Sequence, residues 1–437
     1  MSCASESPSV YGKALGVGLA GLAGLAAEGA LTAPARANVA TYDLKALKKV
    51  YDAPDLGYFK FGINVAAGDL DGDGRAEIIA SGNDGTDDVL SFLKFDGRAL
   101  SVADHKHWPT LPATANGLRV ATGDLNGDGL ADLVVGDASG AGSGLRAGGG
   151  PYIKITLSDV VVSGYSTPMT NGVHVALADT DGDGQAEIFT GPSASPPSSN
   201  GVPPATSTLR RNSITQSKGR SGDLTSYMKY TDEFAVYGSS FTGGIRVATG
   251  DVDGDGVPDI VTMEESGVAR HINYTKIKYL VDPGTGEITR QYDKASPVLA
   301  RSAASDEAPP ESIAVADLDG DGRAELIIGA APGARPQVDV FSLQALVVNN
   351  ALGGSGSADG WVFRSDLSLN SGDLPFGAGY TGGVNVAAGD VTGDGFMDLI
   401  VANASLVPEP GLLTLLSATA LPLMRRRRST RSTRDVS

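Results

Sequence analysis

The sequence predicts an all-β fold, a ring of six four-stranded units in which the two ends of the repeat region share one unit. Three observations predict it. A nine-residue acidic loop recurs six times, each copy sits beside short apolar runs of strand length, and the segment before the first copy resembles the half-unit missing after the last. The composition agrees: 59 glycines and 23 prolines in 437 residues, aromatics at only 6%, and nothing that reads as a long amphipathic helix.

The first loop reads Asp69-Leu70-Asp71-Gly72-Asp73-Gly74-Arg75-Ala76-Glu77, and the others begin at Asp124, Asp179, Asp251, Asp317 and Asp390. A hard cation such as calcium takes about six to eight oxygen ligands at roughly 2.3–2.6 Å, and side chains at loop positions 1, 3 and 5 can converge on one point. Glycines at positions 4 and 6 let the chain turn through positive φ. An EF-hand would add an acid at position 12 and a helix after the loop, but position 12 is Ala80, Val135, Thr190, Thr262, Ile328 or Val401. Every copy instead has an acid at position 9: Glu77, Asp132, Glu187, Asp259, Glu325 or Asp398. Apolar runs such as Ile78-Ile79, Leu133-Val134-Val135 and Leu399-Ile400-Val401 follow and read as buried strands. Each copy is therefore strand, loop, strand, and six copies in one phase point to calcium, one ion per loop and up to six in all.

The copies start 55, 55, 72, 66 and 73 residues apart, which suits four-stranded β-propeller blades with variable loops and is too long for one turn of a β-solenoid. A second echo, Gly333-Ala334-Arg335-Pro336-Gln337-Val338-Asp339-Val340-Phe341 against Gly148-Gly149-Gly150-Pro151-Tyr152-Ile153-Lys154-Ile155-Thr156, marks the third strand of a blade. After Asp398 only one further strand fits, Leu399 to Ala402. The N-terminal run Val39-Ala40-Thr41-Tyr42-Asp43-Leu44-Lys45-Ala46-Leu47 matches Val338 to Leu346, and Asp55-Leu56 matches Asp373-Leu374. The chain thus begins with strands three and four of the blade whose strands one and two come last, an overlap that closes the ring and pairs its edges.

Each loop follows a run such as Gly383-Val384-Asn385-Val386-Ala387-Ala388-Gly389-Asp390 or Gly244-Ile245-Arg246-Val247-Ala248-Thr249-Gly250-Asp251. This resembles the FG-GAP repeat found in the β-propeller of integrin α-subunits and in many exported bacterial proteins, over about Asn38 to Ala404. The resemblance implies metal ligands at positions 1, 3, 5 and 9, with the backbone carbonyl of position 7. Carried onto this chain they are Asp69, Asp71, Asp73 and Glu77; Asp124, Asn126, Asp128 and Asp132; Asp179, Asp181, Asp183 and Glu187; Asp251, Asp253, Asp255 and Asp259; Asp317, Asp319, Asp321 and Glu325; Asp390, Thr392, Asp394 and Asp398. Position 3 departs from the pattern at Asn126 and Thr392; threonine offers only a hydroxyl, so the last site is expected to be the weak one.

The net charge is −17, and those ligands supply 22 carboxylates, so the rest of the chain is slightly basic. Acidity confined to metal loops argues against nucleic acid as a partner. The single cysteine, Cys3, lies in a segment expected to be removed, which leaves no disulfide.

Both termini read as addresses. Lys13, the small apolar run Ala14 to Ala27 and Ala35-Arg36-Ala37 form a signal peptide over 1–37, followed by the propeller at 38–404. Over 405–437, Val407-Pro408-Glu409-Pro410 precedes an apolar stretch, Gly411 to Met424, and Arg425-Arg426-Arg427-Arg428. This order resembles the PEP-CTERM sorting signal of Gram-negative bacteria. The resemblance implies transient membrane association through the apolar stretch, processing by an exosortase, and delivery to the cell surface or extracellular matrix.

Catalytic constellations are thin. His105-Lys106-His107-Trp108 lacks a further histidine or cysteine nearby to complete a metal site and reads as a solvated loop. The Ser/Pro-rich stretch Ser193 to Ser207, followed by Arg210-Arg211 and Lys218 to Arg220, reads as loop decoration. The polar position of the first strands, taken as Asn64, Arg119, His174, Arg246, Ala314 and Asn385, is a candidate ring at a central channel. The favoured function is a non-catalytic, calcium-stabilised surface protein that binds an extracellular glycan or protein. The alternative is an extracellular polysaccharide hydrolase or lyase.

Overall fold

A computed structural model describes residues 39–404 apart from 44–48, 53–55, 57–61, 83–88, 108–116, 138–144, 149–171, 195–206, 219–223, 267–268, 286–287, 303–309, 334, 350–354, 371, 375 and 377–379. The expected signal peptide and sorting segment lie outside the described residues.

The chain opens with β1 (Val39–Asp43) and β2 (Lys49–Asp52), which pair with each other. The first complete sheet is β3 (Ile63–Gly68), β4 (Glu77–Gly82), β5 (Val89–Phe95) and β6 (Leu100–His107). Next come β7 (Leu118–Gly123), β8 (Asp132–Asp137) and β9 (Leu145–Gly148), then β10 (Val173–Ala178), β11 (Glu187–Pro192), β12 (Leu209–Lys218) and β13 (Leu224–Phe234). The fourth sheet is β14 (Ile245–Gly250), β15 (Asp259–Glu264), β16 (Ala269–Val281) and β17 (Ile288–Ser302). The fifth is β18 (Pro310–Ala316), β19 (Glu325–Ala330), β20 (Val338–Asn349) and β21 (Ser355–Phe363), and the chain ends on β22 (Val384–Gly389) and β23 (Asp398–Asn403). Strands within each sheet are antiparallel, and the innermost strands β3, β7, β10, β14, β18 and β22 stand side by side in a closed circuit.

This is an all-β propeller with five four-stranded blades. The remaining sheet, β7-β8-β9, has three strands among the described residues, where the sequence led us to expect four. Its third strand is Leu145–Gly148, one step ahead of the expected segment, most of which lies outside the described residues.

The terminal overlap forms as expected. The closing sheet runs β2-β1-β23-β22, with Val39 opposite Ala402 and Tyr42 opposite Leu399. Its cause is the burial pattern: every residue of β1 is buried, as is every residue of β23. Such strands are covered on both faces because blades stack face to face, and this is why second strands read as unbroken apolar runs rather than as alternation. β4, β11 and β19 are likewise buried throughout. Apolar clusters fill the space between neighbouring blades; Val39, Ile63, Ile78, Leu93 and Ile400 join the closing blade to the first.

Glycine sets how closely blades approach. A Cβ on Gly329 would lie 2.2 Å from the Val384 carbonyl oxygen, and one on Gly191 2.2 Å from that of Ile245. Backbone hydrogen bonds also join blades directly at their loops. The amides of Ala76, Ala131, Ala186 and Ala324, each at loop position 8, donate to the carbonyls of Asp390, Asp69, Asp124 and Asp251 in the preceding blades at 2.5–2.8 Å. Pro258, at position 8 of the fourth loop, has no amide hydrogen to give.

Candidate metal centres and the central cavity

Each acidic loop joins the first and second strands of its blade. The glycines at positions 4 and 6 have φ between 72° and 87° in all six, so the turn is built as expected. The position-1 aspartate holds that turn: in the first loop Asp69 Oδ1 accepts from the Gly72 amide at 2.7 Å and Oδ2 from Gly74 at 2.9 Å. The same pair recurs at Asp124, Asp179, Asp251, Asp317 and Asp390. The position-5 aspartates Asp73, Asp128, Asp183, Asp255, Asp321 and Asp394 each accept from the amide two residues on, at 2.8–3.0 Å.

The position-9 acids are the buried members. One oxygen of Glu77, Asp132, Glu187, Asp259 and Glu325 accepts from the position-2 amide at 2.9–3.2 Å, while Asp398 accepts from the position-3 amide of Thr392 at 2.8 Å. Burial is the leading cause that pushes all six acids up. Asp132 rises to about 6, Glu325 and Asp398 to about 7, and Asp259 to about 8, with neighbouring loop carboxylates adding to each. Glu77 and Glu187 shift the same way. A carboxylate taken out of water beside other carboxylates lacks compensation for its charge, and a cation would supply it.

The donor set fits a hard cation. Asp71 Oδ1 and Glu77 Oε1 are buried and make no hydrogen bond, the latter 3.4 Å from Lys94 Nζ, so oxygen donors are turned inward toward a cation. Among the described residues, donor atoms come within 4.8 Å of one another in four groups: Asp69, Asp71 and Glu77; Asp179, Asp181 and Glu187; Asp251, Asp253 and Asp255; Asp317, Asp319 and Glu325. Asp73, Asp183, Asp259 and Asp321 stand outside those groups, and the loops at Asp124 and Asp390, with Asn126 and Thr392 at position 3, form no such group.

Basic side chains enter these acids. Lys94 Nζ bridges Asp71 and Asp73, and Lys276 bridges Asp253 and Asp255. Arg211 binds Asp181 at 2.7 Å and Glu187 at 2.6 Å, and Arg364 binds Asp319 at 2.7 Å. Arg211 is fully buried on β12, so Arg210-Arg211 belong to a core strand and not to the loop decoration expected. These four bases carry no mark in the loop motif. Three arrive from third strands and Arg364 from just past the end of a fourth, at variable distances along the chain.

A cavity of about 100 Å3 lies where the innermost strands meet, lined by Asn64, Arg119, His174, Arg246, Ser312 and Asn385. Each stands five residues ahead of its loop aspartate. Ser312 therefore holds the place expected for Ala314, because β18 lacks the Gly-Val-x-Val-Ala run and the register must be counted back from Asp317. Three of the six stitch neighbouring strands: Asn64 Nδ2 donates to the Leu118 carbonyl at 2.7 Å, Asn385 Nδ2 to Ile63 at 2.8 Å, and Ser312 Oγ to Val384 at 2.9 Å. The others gather on Glu265, just past the end of β15. Its Oε1 lies 3.0 Å from His174 Nε2, 3.4 Å from Arg119 and 3.9 Å from Arg246, and its Oε2 accepts from the Ala194 amide at 2.6 Å. Burial, then the Arg119 charge, pulls His174 down to about 3, so at neutral pH the imidazole is uncharged and donates to the carboxylate. Burial alone would raise Glu265, but its basic neighbours outweigh burial and hold it well below the usual range.

The histidines of 105–107 lie in the outer strand β6 and not in a loop, since a blade's outermost strand tolerates polar residues; His105 Nδ1 is 3.1 Å from Ser91 Oγ. Trp108 lies outside the described residues.

A model of the FG-GAP-like repeat matches residues 69–135, and one of the FG-GAP repeat matches residues 309–340, so these stretches carry FG-GAP repeats. No curated protein matches the chain. Among solved structures, the chain is similar to a rhamnogalacturonan lyase PL11 of Bacillus licheniformis: 13% identical, covering 79% of this chain and 72% of that one, with a TM-score of 0.36.

Proposed function

We propose that this chain is an exported, non-catalytic calcium-binding β-propeller, displayed on the cell surface or in extracellular matrix, where it binds a glycan or a protein. The observation that carries the reading is the loop itself. In all six copies the position-1 aspartate holds the same glycine turn, and each copy buries an acid at position 9 that burial pushes up. The residues named at positions 1, 3, 5 and 9 would hold up to six ions, and calcium would supply charge compensation and rigidity to the blade edges. Proteins with FG-GAP repeats are typically extracellular or surface-exposed, which supports the export reading from residues 1–37 and 405–437. The three-stranded sheet, which carries the acidic loop at Asp124, we take as a sixth blade.

A glycoside hydrolase uses two carboxylates across one cleft. Glu265, the acid on which the cavity residues Arg119 and His174 gather, is also engaged by the Ala194 amide, which favours binding over hydrolysis. Purified full-length protein applied to a glycan array, with and without calcium, tests the reading. Calcium-dependent retention of one glycan class is expected, and turnover of that glycan without lasting retention would favour the polysaccharide lyase or hydrolase. Intact mass of protein from the native host's surface tests the sorting reading, which is lost if Arg425 to Arg428 persist in the mature chain.

A further inference from the structure

Each of the four loops whose carboxylates converge among the described residues also holds a basic side chain. Lys94 Nζ lies 2.9 Å from Asp73 Oδ2 and 3.4 Å from Glu77 Oε1, and it also bridges Asp71. Lys276 Nζ is 3.1 Å from Asp255 and bridges Asp253. Register explains both. Ile78 pairs with Leu93 and Ile260 with Thr275, so the next residues, Lys94 and Lys276, stand across the sheet from Glu77 and Asp259. Cross-strand partners share a face, and that face carries the loop acids. In the third blade Arg211 is 0% exposed and spans Asp181 and Glu187, so it cannot turn out into solvent without a rearrangement of the strand. In the fifth, Arg364 lies 2.7 Å from Asp319 and 3.8 Å from Glu325, anchored on its other side by Asp366 at 2.9 Å.

We propose that Lys94, Arg211, Lys276 and Arg364 are built-in counter-cations that compete with calcium for these four loops. This rests on the calcium reading above and narrows it. An ammonium or guanidinium held by the same oxygens that would coordinate the ion repels a divalent cation, so either the base swings away or the ion stays out. The carboxylates of these blades are then partly neutralised without metal, and the six loops differ in affinity despite one motif.

Calcium titration of the full-length chain by calorimetry, on wild type, Lys94→Met, Lys276→Met and the charge-retaining Lys94→Arg, tests it. Each methionine variant should gain a site or bind calcium at one site at least tenfold more tightly, and Lys94→Arg should behave like wild type. Equal or weaker binding in both methionine variants overturns the proposal. Calcium bound by neither wild type nor any variant would instead sink the calcium reading. Where a variant does not fold, acetylation of wild-type amines in chelator, read by peptide mass spectrometry, decides the matter: Lys94 and Lys276 should label slowly, and labelling as fast as that of an exposed lysine overturns it.

Discussion

Replacing Tyr42 by alanine tests whether β1 is structural or merely leans on the ring. Tyr42 is 1% exposed, packs with Val340, Leu374, Leu399 and Val401, and its hydroxyl donates to the Asp373 carbonyl at 2.6 Å. Truncation of a buried aromatic to alanine costs about 3–5 kcal/mol, whereas Tyr42→Phe removes one hydrogen bond and should cost about 1 kcal/mol. A strand that detaches on its own can lose no more than its own docking free energy, however large the cavity, so the size of the alanine effect reports how firmly β1 is built in. Tyr274, equally buried at 1% in the fourth blade, is the internal standard. Urea unfolding in saturating calcium, followed by tryptophan fluorescence, should give Tyr42→Ala and Tyr274→Ala comparable losses with an unchanged slope. A loss below about 1 kcal/mol for Tyr42→Ala, beside several for Tyr274→Ala, would refute the closure argument.

Three further outcomes are expected. Calcium at ten times its dissociation constant stabilises by about 1.4 kcal/mol per occupied site, so excess chelator should lower the melting temperature, and a melting curve that ignores chelator would defeat the metal reading. In chelator, Asp132, Glu325, Asp398 and Asp259 hold protons up to about 6, 7, 7 and 8 in the folded chain, against ordinary values of 3.8 and 4.5. The folded state then binds more protons than the unfolded one between about pH 4 and 8, so stability falls as pH rises; differential scanning calorimetry should show higher melting at pH 5 than at pH 8, and the reverse order would count against it. Gly329→Ala forces a Cβ to within 2.2 Å of the Val384 carbonyl and should cost about 1–3 kcal/mol in urea; a neutral effect would mean that the fifth and closing blades do not pack this closely.

What was legible in the sequence is what repeats. The acids and glycines of the loops keep one spacing, so their turn and the strands on either side could be read directly, and so could the terminal overlap, because β1 copies the pattern of β20. What escaped depends on register across strands. Lys94 and Lys276 stand opposite position-9 acids only once the third strand is aligned, and the spacers that precede it vary in length. Glu265 lies in no repeated column, and its role follows from Arg119, His174 and Arg246 being brought to it from three separate blades. Ser312 and not Ala314 holds the polar position of its blade, and the sequence hides this because that blade lacks the run that sets the phase.

The way the ring closes also sets how it yields to force. Val39 and Ala402 face each other at the same end of an antiparallel pair, so the segments on either side of the propeller leave from neighbouring points. Tension applied between them pulls across the ladder and not along it. The hydrogen bonds of β1 and β23 are then loaded one after another, each worth only about 0.5–1.5 kcal/mol, as a zip opens rather than as a joint shears. A closure that is costly to break by heat would therefore part at low force, and in an optical trap the first event should be the peeling of β1, a short extension ahead of the blades.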